Sequence, residues 1–262
     1  MTNARPWLSL LRRLTDAVPT WGVWKRPDSA LEGEGDVDSL GSESDWKTIV
    51  AEYRSWAEEH GLGPVVVCRH APDLLVLAAC EGEGPTRLLQ MDVYAHQVFR
   101  GARLASADDL HGLMRLDPRG FRRLRPGAEG VLLLLAEGVR RGGRPPSTVA
   151  AEGIAGLLRE DPDGAEQTAA ALGPRGRHVL AAARALADGR WNRPELVSLE
   201  LKSAARLLFP RELARCFARD ARGLRPCDLM KALEAERLVP GDRDRWLAEV
   251  GRSHAVYRSG DA

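Results

Sequence analysis

Apolar residues at Trp7, Leu8, Leu10, Leu11, Leu14 and Val18 recur at helical spacing, so the chain opens on an amphipathic helix that Pro19 ends. Trp21 to Trp24 reads as a short strand, followed by a polar loop rich in Gly and Glu. From Asp36 to Leu40 (D-V-D-S-L) polar and apolar residues alternate, the period-two mark of a strand with one buried face. Ser42 and Ser44 are candidate N-caps for a long helix carrying Trp46, Ile49, Val50, Tyr53 and Trp56, and Gly61 and Gly63 stop it.

Val65 to Cys68 and Leu74 to Ala79, joined by the turn Ala71-Pro72-Asp73, predict a hairpin. A second turn at Glu81–Pro85 leads into a third strand, Arg87 to Tyr94. Helices are expected at about 107–116 and 127–140, the latter with an apolar block from Val131 to Leu135. Arg141 to Pro146 (R-G-G-R-P-P) is the clearest linker. Beyond it the pattern is helical throughout: 148–159, 164–172, 175–188, 196–208, 211–219, 228–236 and 242–257, with no fixed-period repeat. The expected organisation is an α+β domain over residues 1–145, a mixed sheet with flanking helices, followed by an all-helical domain over 146–262.

Composition narrows the class. Of 262 residues, 44% are hydrophobic and 29% charged, which excludes a disordered or fibrous chain. No apolar run approaches the ~20 residues of a membrane span. Arg12 and Arg13 are not followed by an apolar core, so no signal peptide is expected. The four cysteines (Cys68, Cys80, Cys216, Cys227) form no C-x-x-C pair and fit free thiols in the cytoplasm. Residues 1–145 carry 19 Lys/Arg against 20 Asp/Glu, and 146–262 carry 19 against 17. Near-neutral halves argue against a long nucleic acid as partner. Only Lys25, Lys47, Lys202 and Lys231 among the 38 basic residues are lysines.

The chemistry concentrates between Trp21 and Leu40. Strand geometry points Asp36 and Asp38 to one face and Val37 to the other. Two carboxylates held together repel and raise each other's pKa unless a cation neutralises them. A hard divalent ion is the natural neutraliser, and Gly33 and Gly35 leave room for a ligand to approach the backbone. A third carboxylate, Asp92 in L-L-Q-M-D-V-Y, lies on a strand with Met91 and Val93 turned to the core. If that strand pairs beside the first, three acids converge, a set able to hold two metal ions for displacement at phosphorus.

Lys25 to Asp38, together with Asp92, resembles the nucleotidyltransferase superfamily of the DNA polymerase β type. The resemblance covers residues 20–105. That family has a strand ending in Gly-Gly or Gly-Ser, a spacer of about ten residues, then Asp-h-Asp/Glu-h (h apolar) and a third acid on a later strand. Asp36-Val37-Asp38 and Asp92 match the acids, whereas Trp24-Lys25 stands where the family has its small pair. The resemblance implies Mg²⁺ (or Mn²⁺) on Asp36, Asp38 and Asp92, and Lys25, Gly33 and Gly35 around the phosphates. It further implies a nucleoside triphosphate such as ATP as donor, a small-molecule or protein acceptor, and release of pyrophosphate. Two alternatives stand beside it: a non-catalytic nucleotide- or partner-binding module on the same fold, supported by the irregular Trp24-Lys25, and a phosphotransferase or hydrolase using the same acids.

Other polar residues have plainer readings. Cys68 fits a packed position and His70 an exposed turn, since neither has zinc spacing. The run Arg115–Arg125 holds five arginines able to grip phosphate, or else forms a solvated helix face or domain-interface salt bridges, and Asp117-Pro118 reads as an N-cap and first helical residue. Trp191 reads as the plug of a helix junction, and Lys202 as a residue that could line a cleft.

Overall fold

The computed structural model describes residues 5–32, 35–62, 65–71, 73–81, 87–206, 208–211 and 213–214. Its centre is a seven-stranded mixed sheet. In chain order the strands are β1 (Gly22–Val23), β2 (Val37–Leu40), β3 (Val65–Ala71), β4 (Leu74–Glu81), β5 (Arg87–Tyr94), β6 (His96–Phe99), β7 (Ala102–Ser106), β8 (Met114–Leu116) and β9 (Arg122–Leu124). The sheet order is β3-β4-β5-β2-β1-β9-β8, and β6 and β7 form a separate hairpin. The pairs β2·β5 and β1·β9 are parallel, and the other pairs are antiparallel.

Each face of the sheet is covered. On one side lie α1 (Arg5–Ala17) and α3 (Trp46–Glu59), where Trp7 stacks on Trp56 at 5.5 Å and Val37, Met91 and Val93 rise from the strands. On the other lies α5 (Pro126–Leu133), which is buried at every residue, as a helix apolar all round must be. Helices α6 (Thr148–Glu160), α7 (Pro162–Ala171), α8 (Gly176–Ala187) and α9 (Arg193–Arg206) build on α5. Their apolar faces share one cluster with Trp24, Leu40 and Leu124 of the sheet region. Among the described residues after 146 every regular element is helical. No helix among them is long and apolar enough to cross a membrane.

The helices expected over 7–18, after Ser44, and at 148–159, 164–172, 175–188 and 196–208 are present, as are the strands expected at 21–24, 36–40, 65–68, 74–79 and 87–94, with ends that differ by a few residues. Four expectations are corrected. The polar loop after Trp24 contains α2 (Pro27–Glu32), a short helix whose Ala30 and Leu31 are buried against the sheet. The helix expected at 107–116 is only α4 (Ala107–His111), closed at its start by a reciprocal Ser106–Asp109 capping box. The arginine run is then no helix face but the hairpin β8–β9, and Asp117 is a turn residue whose N–H donates to the Phe121 carbonyl at 2.7 Å. Ser42 caps nothing with its side chain: a 3₁₀ turn (Glu43–Asp45) precedes α3, and the Ser42 hydroxyl donates to Asp108 instead. The hairpin β6–β7 was not expected at all.

The helix expected to run to 140 leaves α-geometry earlier, in a π-helical turn over Leu134–Gly138. Gly33, Gly63, residues 82–86, the side chains of Cys68 and His70, most of the helix predicted at 211–219 and all of those at 228–236 and 242–257 lie outside the described residues.

Close helix packing depends on missing side chains. A Cβ on Gly127 would overlap the Asp161 carbonyl at the α5–α7 crossing, and one on Gly176 would overlap the Ala169 carbonyl. Gly153 on α6 faces open space. Gly127→Ala and Gly176→Ala are therefore expected to cost about 1–3 kcal/mol each in denaturant unfolding. Gly153→Ala is expected to gain up to about 1 kcal/mol from helix propensity.

Candidate functional site

Parallel pairing of β2 on β5 sets Asp38 directly opposite Asp92. Strand alternation turns both toward α5, on the same face as Leu40. Asp36 stands just before β2, after a turn in which Gly35 takes φ +78°, a conformation that favours glycine. Asp36, Asp38 and Asp92 each bring a carboxylate oxygen within 4.8 Å of the others. Asp38 is 5% exposed and Asp92 2%.

Their surroundings only partly neutralise them. Lys25 Nζ lies 3.1 Å from Asp38 Oδ2 and 3.2 Å from Glu137 Oε1, with its charge 5.1 Å over the Trp24 ring. Tyr94 donates to Asp38, and Gln90 Nε2 donates to Asp92 Oδ1 at 2.9 Å. Asp38 Oδ1 is buried with no hydrogen-bond partner. Burial pushes the Asp38 carboxyl up to about 6, an effect that Lys25 opposes and Asp36 reinforces. Burial and then the charges of Asp38 and Asp36 push Asp92 well above the ordinary carboxylate range. An orphaned buried oxygen on Asp38, a neighbouring buried Asp92 that resists ionising beside it, and a third carboxylate from Asp36 form a donor set that fits a hard divalent cation such as Mg²⁺ or Mn²⁺.

The turn after β1 is held by α5. Arg26 takes φ +41°, strained for a residue with a side chain, immediately before Pro27. Its N–H donates to Glu129 Oε1 at 2.9 Å, and its guanidinium reaches Glu137 Oε2 at 2.6 Å. Glu129, 3% exposed, also accepts from Arg123 Nη2 at 2.7 Å. Charges of alternating sign then run on through Asp117 and Arg119 to Asp28. The Asp117 carboxyl is held down at about 2, first by its hydrogen bond from Arg119. The arginine run is thus engaged with protein groups: Arg122 alone donates to the carbonyls of Thr15, Val18 and Trp21.

The structure brings Lys25, Asp36, Asp38 and Asp92 together, and Gly35 supplies the turn into β2. Glu129 and Glu137 were missed, although a signal existed. They are the only charged residues between Pro126 and Gly138, and acids in so apolar a run are buried only when paired. Trp191 does sit at a junction, donating to the Gly143 carbonyl at 2.8 Å, and Lys202 Nζ lies 2.5 Å from His178 Nε2. A second grouping, Glu43, Asp73 and His96, already holds a cation, because Arg103 pairs with Asp73. Comparison with known protein families, curated proteins and solved structures returns no match.

The raised carboxyls set a pH dependence. Between 3.8 and about 6 the folded chain holds the Asp38 proton that the unfolded chain has released. This contribution to stability is present at the acid end, is lost as pH rises through about 6, and Asp92 extends the loss upward. Acids with depressed pKa, such as Asp117, change stability only below this window. In chelator, Asp92→Asn is expected to melt higher than wild type at pH 8, with the difference shrinking toward pH 5. A difference independent of pH would contradict a desolvated Asp92.

Proposed function

We propose that the chain is a metal-dependent nucleotidyltransferase of the DNA polymerase β type, with residues 1–145 as the transferase-like sheet domain and 146–262 as a helical domain beside it. The observation that carries the reading is Asp38 opposite Asp92 on parallel strands, with Asp36 within 4.8 Å and one Asp38 oxygen unpartnered. Asp36, Asp38 and Asp92 would hold Mg²⁺ or Mn²⁺. When bound, the ion neutralises the carboxylates and the triphosphate and makes the α-phosphorus more electrophilic.

The remaining steps belong to the chain. Lys25, anchored by Glu137 and Trp24, offers an ammonium to the triphosphate, the role of the missing small pair. Gly35 keeps the backbone before Asp36 open, since a Cβ there would touch nothing. Asp92, directly opposite Asp38 in the same patch, would in its ionised form take the proton of the acceptor hydroxyl. The freed oxygen forms a bond to the α-phosphorus as the bond to pyrophosphate breaks. Positioning and charge neutralisation supply most of the rate in such transfers. The acceptor is a small molecule or a protein side chain, consistent with the near-neutral chain.

One observation favours a second reading, a nucleotide-binding module without turnover: the Lys25 ammonium already sits on Asp38, as a fixed cation would in place of a metal. Calorimetry with the four ribonucleoside triphosphates, in Mg²⁺ and in chelator, separates these readings when combined with pyrophosphate release over a panel of hydroxyl acceptors. The transferase is expected to bind in a magnesium-dependent manner and to release pyrophosphate, whereas the module only binds. Asp36→Asn with Asp38→Asn is expected to lower turnover by roughly 10³-fold or more. Lys25→Ala is expected to weaken binding by about ten- to a hundredfold, the worth of a charged hydrogen bond. Equal binding by the double variant would sink the metal-dependent transferase, and binding of no triphosphate would sink both readings.

A further inference from the structure

A cleft of about 500 Å³ opens between the start of α2 and α6, floored by α5. This is within the usual size range of small-molecule sites. Leu133, Ile154 and Leu157 give it an apolar wall, and Gly153 presents no side chain to it. Arg26 and Ser29 line the opposite wall, and the Arg26 side chain is half exposed. The formal charges around it cancel: Arg26 and Arg123 against Asp28 and Glu129. Each of these four is already paired within the protein. The lining therefore has no charge left over for an anion, and it suits a neutral, flat ring with hydrogen-bonding edges.

The location adds to this. Lys25 meets the carboxylates, and the next residue, Arg26, lines the cleft. In the π-helical turn after α5, Glu137 meets Lys25, while Leu133, the last residue of α5, is part of the cleft floor. The cleft and the carboxylate patch are thus joined by adjacent residues of one loop, Lys25 and Arg26.

We propose that this cleft seats a neutral heteroaromatic ring, a nucleobase, between the Arg26 guanidinium and the Gly153 face of α6. Arginine stacks on planar rings, and a glycine facing open space lets a ring lie against a helix. The choice of a nucleobase rests on the transferase reading, whereas the cleft and its neutral lining do not. The ring belongs either to the donor nucleotide or to an acceptor nucleoside.

The test uses free ribonucleosides, which carry no phosphate, titrated into the full-length protein in chelator and followed by saturation-transfer NMR. At least one is expected to bind the wild type, and to bind Asp36→Asn with Asp38→Asn equally well. Gly153→Leu fills the cleft and is expected to weaken that binding tenfold or more. Gly156→Leu is the control, since that glycine also faces open space on α6 but lies outside the cleft. Absence of nucleoside binding, or unchanged binding by Gly153→Leu, overturns the proposal. Magnesium-dependent triphosphate binding by a wild type that binds no nucleoside overturns the cleft but spares the transferase. Nucleoside binding lost in Gly153→Leu, with no magnesium-dependent triphosphate binding, supports the cleft and overturns the transferase. Competition between nucleoside and triphosphate assigns the ring to the donor, and simultaneous binding assigns it to the acceptor.

Discussion

Placing Asp38 and Asp92 side by side on parallel strands, under a layer of helices, removes two like charges from water at one point. Such an arrangement is costly unless protons or cations intervene, and it conditions the neighbourhood. Around Asp38 the chain places an ammonium, a phenol and, at one oxygen, nothing. A sheet built only for stability would put apolar residues here, as it does at Met91 and Val93 one position away on the other face. The polarity is local and one-sided, and that separates a site from a solvated strand edge.

The cations brought to the acids need support of their own. Lys25 and Arg26 follow a two-residue strand, and Arg26 adopts a backbone conformation that its side chain disfavours. The compensation comes from α5, where Glu129 takes the Arg26 N–H and Glu137 takes both cationic heads. Glu137 can do so from the π-helical turn, where α-geometry ends and the helix is re-aimed at the loop. The same apolar helix that closes the core thereby carries the two acids that fix the loop. Loop, helix and carboxylates are thereby linked by one chain of ion pairs, from Asp38 through Lys25 and Glu137 to Arg26.

Much of this was legible in the sequence. D-V-D and a later strand aspartate marked the carboxylates, because side-chain alternation on a strand is a short-range rule, whereas their convergence hung on the pairing of β2 with β5, which only the fold supplies. The helices described between 148 and 206 were legible for the same reason, since their apolar spacing is periodic. What escaped depends on contacts distant in sequence. The segment Arg115–Arg125 forms a hairpin because Arg122 grips carbonyls at the end of α1, about a hundred residues away, and because β9 pairs with β1. Helix α2 hides in a Gly- and Glu-rich stretch and owes its form to the burial of Ala30 and Leu31. Nor could periodicity reveal the cleft, which is the space between α6 and a helix, α2, that the pattern did not show.

Lys25 illustrates how composition and geometry combine. In a chain with 34 arginines and four lysines, a lysine occupies the position between Asp38 and Glu137. A guanidinium would present a wide planar fork there, suited to a bidentate partner, and its neighbour Arg26 already uses that shape on Glu137. A compact ammonium can instead touch one oxygen of each acid while standing over an indole ring. It leaves the second oxygen of Asp38 untouched. The arrangement restrains the charge of the patch without filling it, so the capacity to take up a further cation follows from the choice of lysine as much as from the three aspartates.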